Sequence, residues 1–233
     1  MDPGTFVIHT DGLNRRIGHT ASGILDEIPD AARVRSLTGA LDPDWIEPVE
    51  YYLPPGPYTV ELINPTTGDL GYRLFAGDAL FSLETSGLEP AMGEVSNQPD
   101  GGAFSFVART PLEGIQLRVA RTLGVEEERA LDLTGVPLPV DGALRINSME
   151  GGSGFQVTFE GTEMALGDLI LTEASPAGIL SLPLPGIPLM EGASLTVEPF
   201  DWGRLTETPV FGRRLMPDGR ILLTAYNLSL IHI

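Results

Sequence analysis

The sequence predicts an all-β fold, an antiparallel β-sandwich of the Ig-like kind, for three reasons. Apolar and polar residues alternate with a period of two in many short runs, which is typical of strands with one solvated face. Turn-forming clusters such as PPGP, NPTTGD and MPDG separate these runs at short intervals. Glycine and proline, with 28 and 20 residues, interrupt the chain too often for a helical protein.

The clearest strand is PYTVELI, where Tyr58, Val60 and Leu62 alternate with Thr59 and Glu61. The segments IQLRVAR and GFQVTFEG alternate in the same way. Further strand candidates, in chain order, are FVIHT, GYRLF, ALFSLE, AFSFVA, ALDL, LILT, GILSL, SLTVE and RILLTAY. Only PDAARVRSL and LGVEEERAL are compatible with one or two helical turns.

An internal echo links residues 131–146 (LDLTGVPLPVDGALRI) with residues 182–197 (LPLPGIPLMEGASLTV), about 51 residues further on. A Gly-hydrophobic-Pro-Leu step, an acid-Gly turn and an alternating strand recur, which predicts one hairpin-like unit used twice. Two copies are fewer than a solenoid requires. We therefore expect two β-sandwich domains, or a sandwich plus a duplicated β unit, with an N-terminal sandwich over 1–109 and a second β region over 110–227.

Composition excludes several classes of function. The chain has no cysteine, so disulfides, thiolate catalysis and cysteine-ligated metals are excluded. Its net charge is −18, which would repel nucleic acid and anionic membranes. The sequence contains no run of 18 apolar residues, so it predicts no membrane-spanning helix. The N-terminus lacks the features of a signal peptide, so we expect Met1 to lie inside a longer protein.

The last six residues, LSLIHI at 228–233, resemble the translation of a sequencing adapter. We therefore expect a non-native tail there, as occurs in metagenomic fragments. The sequon Asn227-Leu228-Ser229 and His232 would then carry no functional meaning.

Charge is densest in TDGLNRRIGHTASGILDEIPDA, residues 10–31. Glycines set turns here, and Arg15 or Arg16 is expected to reach an acid near Pro29. The acids of this stretch also offer the best metal candidates, because calcium prefers carboxylate oxygens in loops. The calcium candidates are Asp26, Glu27 and Asp30. The competing interpretation is that these acids form turns, so we assign no metal or other cofactor.

Residues 10–31 also resemble a motif of secreted bacterial β-sandwich accessory modules, which reads roughly TDPxGRRxGYDPxTGxxxNEIPGA. The residues that carry the motif are Asp11, Arg15, Arg16, Gly18, Glu27 and Pro29, together with Thr10, Gly23, Ile28 and Ala31. The segment LPPGPYTVELI follows, as in those modules. Departures include Gly12 for proline and Asp30 for glycine. The resemblance implies a structural segment of a large exported or cell-surface protein, and it extends over the first 80 to 105 residues.

No catalytic residue is assigned, and we expect no enzyme. A Ser–His–Asp site needs a histidine, and only His9 and His19 are credible. The segment GGSGF around Ser153 fails the G-x-S-x-G pattern at Phe155.

Carbohydrate binding would use aromatic side chains exposed on a sheet. The candidates are Trp45, Tyr51, Tyr52, Tyr58 and Trp202. The alternative for such tyrosines is that they close a sandwich edge and donate the hydroxyl to a backbone carbonyl.

The leading prediction is a non-catalytic structural or adhesive module of a larger exported bacterial protein, located outside the cell or at its surface. Its partners would be neighbouring domains of the same polypeptide, or a glycan or other cell-surface partner. The alternatives are a ligand-binding module for calcium or glycan, and an accessory domain of a secreted hydrolase.

Overall fold

The computed structural model describes residues 6–20, 22–34, 50–66, 69–85, 90–97, 102–161 and 164–226. The segment 228–233 and Trp45 lie outside these residues.

The described chain is almost entirely β-structure. Strands of the first half are β1 (Phe6–Asp11), β2 (Arg16–Thr20), β3 (Gly23–Asp26), β4 (Ala32–Val34), β5 (Glu50–Tyr52), β6 (Tyr58–Asn64), β7 (Gly71–Ala76), β8 (Ala79–Thr85), β9 (Ala91–Asn97) and β10 (Ala103–Ala108). Strands of the second half are β11 (Leu112–Thr122), β12 (Glu128–Leu138), β13 (Ala143–Ser148), β14 (Phe155–Glu160), β15 (Met164–Ser175), β16 (Gly178–Met190), β17 (Ser194–Pro199), β18 (Val210–Leu215) and β19 (Ile221–Tyr226).

Two antiparallel sheets pack face to face, which confirms the predicted β-sandwich. The large sheet has 11 strands in the order β19-β18-β17-β14-β13-β10-β9-β6-β1-β2-β3. The small sheet has six, in the order β16-β15-β12-β11-β8-β7, and β4 pairs with β5 alone.

The helical interpretation of LGVEEERAL is wrong. Its last residues begin β12, where Glu128 pairs with Thr122 on one side and Ala174 on the other. Among the described residues the only helical segments are two 3-10 turns of three residues each, Glu150–Gly152 and Trp202–Arg204. No helix in these ranges is therefore long and apolar enough to cross a membrane.

The strand order reveals one repeating unit, which we call the repeat unit. It consists of one strand in the large sheet, a hairpin of two strands in the small sheet, and a return strand in the large sheet. Unit 1 is β6–β9, unit 2 is β10–β13 and unit 3 is β14–β17. Because each unit pairs with the next through both sheets, the units stack side by side into one continuous sandwich.

The predicted echo corresponds to equivalent positions in units 2 and 3. Gly135 in β12 and Gly186 in β16 both have positive φ, 76° and 64°, and both lie where the strand register shifts. A left-handed glycine at a register shift is typical of a β-bulge. The Gly-hydrophobic-Pro-Leu step therefore marks a bulge in the small sheet.

The turn that leads back to the large sheet is also repeated. The Gly142 amide donates to the Pro139 carbonyl at 3.0 Å, and the Ala193 amide donates to the Met190 carbonyl at the same distance. The third residue of each turn has positive φ, 61° at Asp141 and 66° at Gly192. That position favours glycine or a residue that tolerates the left-handed region.

One hydrophobic core runs through all three units. Phe81 of the small sheet stacks on Phe104 of the large sheet, with ring centroids 4.9 Å apart. The predicted division near residue 110 falls between β10 and β11, inside unit 2. Both sheets continue across it, because β8 pairs with β11 and β9 with β10.

The large sheet extends past the small sheet at both ends, and the two ends differ in what covers their inner face. At the N-terminal end, β1 has the β4–β5 pair against its inner face, where Tyr51 packs against His9. At the C-terminal end, β18 and β19 extend beyond β16, and Leu222 and Thr224 on the inner face of β19 are exposed.

Candidate functional site

The first half of the 10–31 stretch folds into a tight turn around Asp11. One carboxylate oxygen, Oδ1, accepts hydrogen bonds from the Leu13 and Arg15 amides, both at 2.9 Å. The other, Oδ2, accepts the Arg15 guanidinium at 2.7 Å. Desolvation raises the pKa of Asp11, but the bonds from Arg15 and Leu13 outweigh it and lower the pKa overall. Asn14 completes the turn at φ 60°.

The second half joins β2 to the chain after β3. Glu27 accepts the Arg16 amide at 3.0 Å and lies 3.5 Å from the Arg16 guanidinium. The expected pairing between an arginine and an acid near Pro29 is therefore present for Arg16, whereas Arg15 binds Asp11 within its own turn. The Arg16 and Glu27 side chains are both exposed, so the pair contributes little stability.

The calcium candidates do not converge. Glu27 is engaged by Arg16, and Asp26 and Asp30 are exposed. Asp30 lies at φ 62° in a turn that the Ala31 amide closes on the Ile28 carbonyl at 3.3 Å. No group of three potential metal-ligating side chains occurs in the part of the chain that the structure describes. Asp30 thus has the turn-forming role that was the competing interpretation.

His9 is buried between the sheets, with 2% of its surface exposed. Its ring lies 4.7 Å from the Tyr51 ring, and its Nε2 is 3.4 Å from the Tyr72 hydroxyl, while Nδ1 has no hydrogen-bond partner among the described residues. Desolvation lowers the pKa of His9 to about 4, although the Ile17 backbone offsets part of the effect. Burial likewise raises the pKa of Tyr72. This neutral histidine is packed as a core residue.

The other two catalytic candidates lie on different elements from His9. His19 is half-buried on β2, the strand next to the one that carries His9, and Ser153 follows a 3-10 turn between β13 and β14. The Ser153 carbonyl accepts the Trp202 indole N–H at 3.2 Å, which makes this segment part of a packed corner.

Most of the described aromatic candidates for carbohydrate binding are buried or packed against the core. Trp202 is 5% exposed and its ring contacts Phe155 edge-on at 6.3 Å. Tyr58 is buried and donates its hydroxyl to the Pro54 carbonyl at 2.7 Å, the edge-closing role that was the alternative to glycan binding. Tyr51 packs against the core, so Tyr52, which is 64% exposed, is the one candidate displayed on the described surface.

Sequence reasoning missed a groove at the open C-terminal end. It has a volume of about 410 Å³ and lies between the Pro183–Pro188 segment of β16 and the inner side chains of β18 and β19. Arg214, Thr224 and Tyr226 line its other wall. The pattern VFGRRL does place Arg214 on the inward face with Val210 and Gly212, but it gives no sign that the face lacks a covering sheet.

Comparison with known proteins leaves the function open. The chain matches no family model, and no curated protein or solved structure is significantly similar to it. Any functional assignment therefore rests on the fold and the side chains of this chain itself.

Proposed function

We propose that this chain is a non-catalytic structural module of a larger exported bacterial protein, one that holds neighbouring segments at a fixed separation. The observation that carries the proposal is the side-by-side stacking of three repeat units over one continuous core. Stacked units of this kind give a rigid body whose length grows with the number of units.

The side chains favour the same interpretation. The best catalytic candidate, His9, is sealed between the sheets. The charged stretch at 10–31 uses Asp11, Arg15, Arg16 and Glu27 to fix two turns. The exported and bacterial context rests on the resemblance of that stretch to secreted modules.

The β16 edge of the small sheet suits a module that does not associate with other chains through its sheet edge. β16 carries Pro183, Pro185 and Pro188, which have no amide hydrogen to donate. Proline on an edge strand discourages pairing with a foreign strand. We therefore expect neighbouring domains to connect to the module at its termini and not along the β16 edge.

The experiment measures the separation of the two ends. Because the chain has no cysteine, spin labels can be placed on single cysteines at Ile24 of β3 and Leu223 of β19, which are 61% and 79% exposed. Ten strand-to-strand steps separate β3 from β19, which corresponds to about 48 Å across the sheet before sheet twist shortens it.

Double electron–electron resonance should give one narrow distance distribution, unchanged by millimolar calcium or by chelator. A broad or multimodal distribution would contradict a rigid spacer. A shift on adding calcium would favour the calcium-binding alternative.

A further inference from the structure

The repeat explains why the C-terminal end is open. β18 occupies the first position of a fourth unit, since it follows β17 in the large sheet as β14 follows β13. In units 1 to 3 the first strand leads into a hairpin of the small sheet. Here β18 turns straight into β19, so the described chain has no small-sheet hairpin opposite this pair. The groove of about 410 Å³ lies beside β16, on the inner side of this pair.

Arg214 stands at a core position of the repeat. It pairs with Leu195 across β17–β18, as Phe159 pairs with Leu144 across β13–β14, and the two leucines are equivalent at the 51-residue shift. Phe159 is 1% exposed and purely apolar. At the open end the chain thus replaces an apolar core position with a permanent cation.

The Arg214 cation lacks a counter-charge in the described part of the chain. Arg214 is 8% exposed. Its one hydrogen bond there runs from Nη2 to the Pro188 carbonyl at 2.9 Å, and no carboxylate of the described residues lies within 4.0 Å. A buried charge is costly unless it is paired, so this guanidinium has capacity for an anion.

The groove around it is otherwise mostly apolar. Prolines and Ile187 of β16 form one wall, and the Tyr226 ring forms part of the other, packed on Gly212. An apolar groove with a single convergent cation is suited to a ligand that has an apolar body and one negative group. Guanidinium binds carboxylate through two parallel hydrogen bonds, and the single positive charge of one arginine balances the single negative charge of one carboxylate.

We propose that the groove between β16 and the β18–β19 pair is a binding site for a small amphipathic monocarboxylate, with Arg214 holding the carboxylate and Ile187 and Tyr226 contacting the apolar body. This site is separate from the spacer function proposed above. Either proposal can fail without the other, because one is tested by end-to-end distance and the other by ligand binding.

The test uses the full chain, uniformly ¹⁵N-labelled, titrated with octanoate and in parallel with its neutral analogue octanamide. Octanoate should shift amide resonances of Ile187, Arg214 and Tyr226 with saturation, and octanamide should bind at least tenfold more weakly because it cannot pair with the guanidinium. The variant Arg214→Met keeps the apolar stem and should lose at least tenfold in octanoate affinity. Arg213→Met, on the exposed face of β18, is the matched control and should bind octanoate as the unmodified chain does.

Three results would overturn the proposal. They are the absence of saturable shifts up to tens of millimolar octanoate, equal binding of octanoate and octanamide, and unchanged affinity in Arg214→Met. If Arg214→Met fails to fold, the comparison of acid and amide on the unmodified chain decides the question alone.

Discussion

Protonation of His9 should destabilise the fold in a defined pH range. The pKa of His9 is about 4 in the folded protein, against 6.5 for an unburied histidine. Since the folded pKa is depressed, the unfolded chain takes up the proton first as the pH falls. Stability is therefore full above pH 6.5 and is lost progressively as the pH falls from 6.5 through 4.

The size of the effect follows from that difference. Each unit of pKa is worth 1.36 kcal/mol, so burial of His9 is linked to a total of about 3 kcal/mol. About 2 kcal/mol of this should be lost between pH 7 and pH 5. That interval lies above the ordinary pKa range of carboxylates, so few other groups titrate in it.

The assay is urea unfolding at several pH values for the unmodified chain and for His9→Phe. All other titrating groups are shared, so the difference between the two free energies of unfolding isolates His9. The unmodified chain should lose about 2 kcal/mol relative to His9→Phe between pH 7 and pH 5. Tyr72→Phe, which removes only the hydroxyl 3.4 Å from Nε2, should keep the dependence, because desolvation is its main cause. Parallel pH curves for the chain and His9→Phe would refute the reasoning.

Three further predictions concern stability in urea. Gly18→Ala should lower the free energy of unfolding by about 3 kcal/mol or more, because a Cβ there would overlap the Val7 carbonyl. Gly12→Ala has open space around it and should change that free energy by no more than about 0.5 kcal/mol. Equal effects of the two substitutions would contradict this prediction. Phe159→Ala, in the core of unit 3, should cost about 3–5 kcal/mol, and a loss under about 1 kcal/mol would argue against the packing described. Glu27→Gln should cost less than about 1 kcal/mol, because its pair with Arg16 is exposed, and a larger loss would mean that the pair is buried.

Much of the fold was predictable because period-two patterning reports directly on a sheet with one wet face. The echo between residues 131–146 and 182–197 also had a structural basis, since Gly135 and Gly186 occupy equivalent bulges. Unit 1 could not be recognised as a repeat from the sequence. Unit 1 shares the strand order of the others, but its hairpin strands have 6 and 7 residues, against 11 to 13 in units 2 and 3, and it has no such bulge.

The candidate site was less predictable, because it depends on which faces are covered. Alternation assigns Arg214 to the inner face of β18, but only the sheet order shows that β16 is the last small-sheet strand in the described chain, with no further strand beyond it to cover this face. His9 is a similar case, since its burial depends on Tyr51 and Tyr72 arriving from other strands. The Arg16–Glu27 pair joins residues close in the chain, and local turn chemistry was sufficient to anticipate it.

Differences between the two echoed segments carry information about position in the stack. At the 51-residue shift, Asp132 and Thr134 of β12 correspond to Pro183 and Pro185 of β16. β12 lies between two strands, where backbone amides are needed for the ladder, so proline is excluded from these positions. Within the described chain β16 has a neighbouring strand on one side only, and there proline is compatible with the strand geometry and blocks the addition of another strand. The copy that carries proline at these positions is therefore the one at the end of the small sheet. That copy forms β16, the strand that borders the groove.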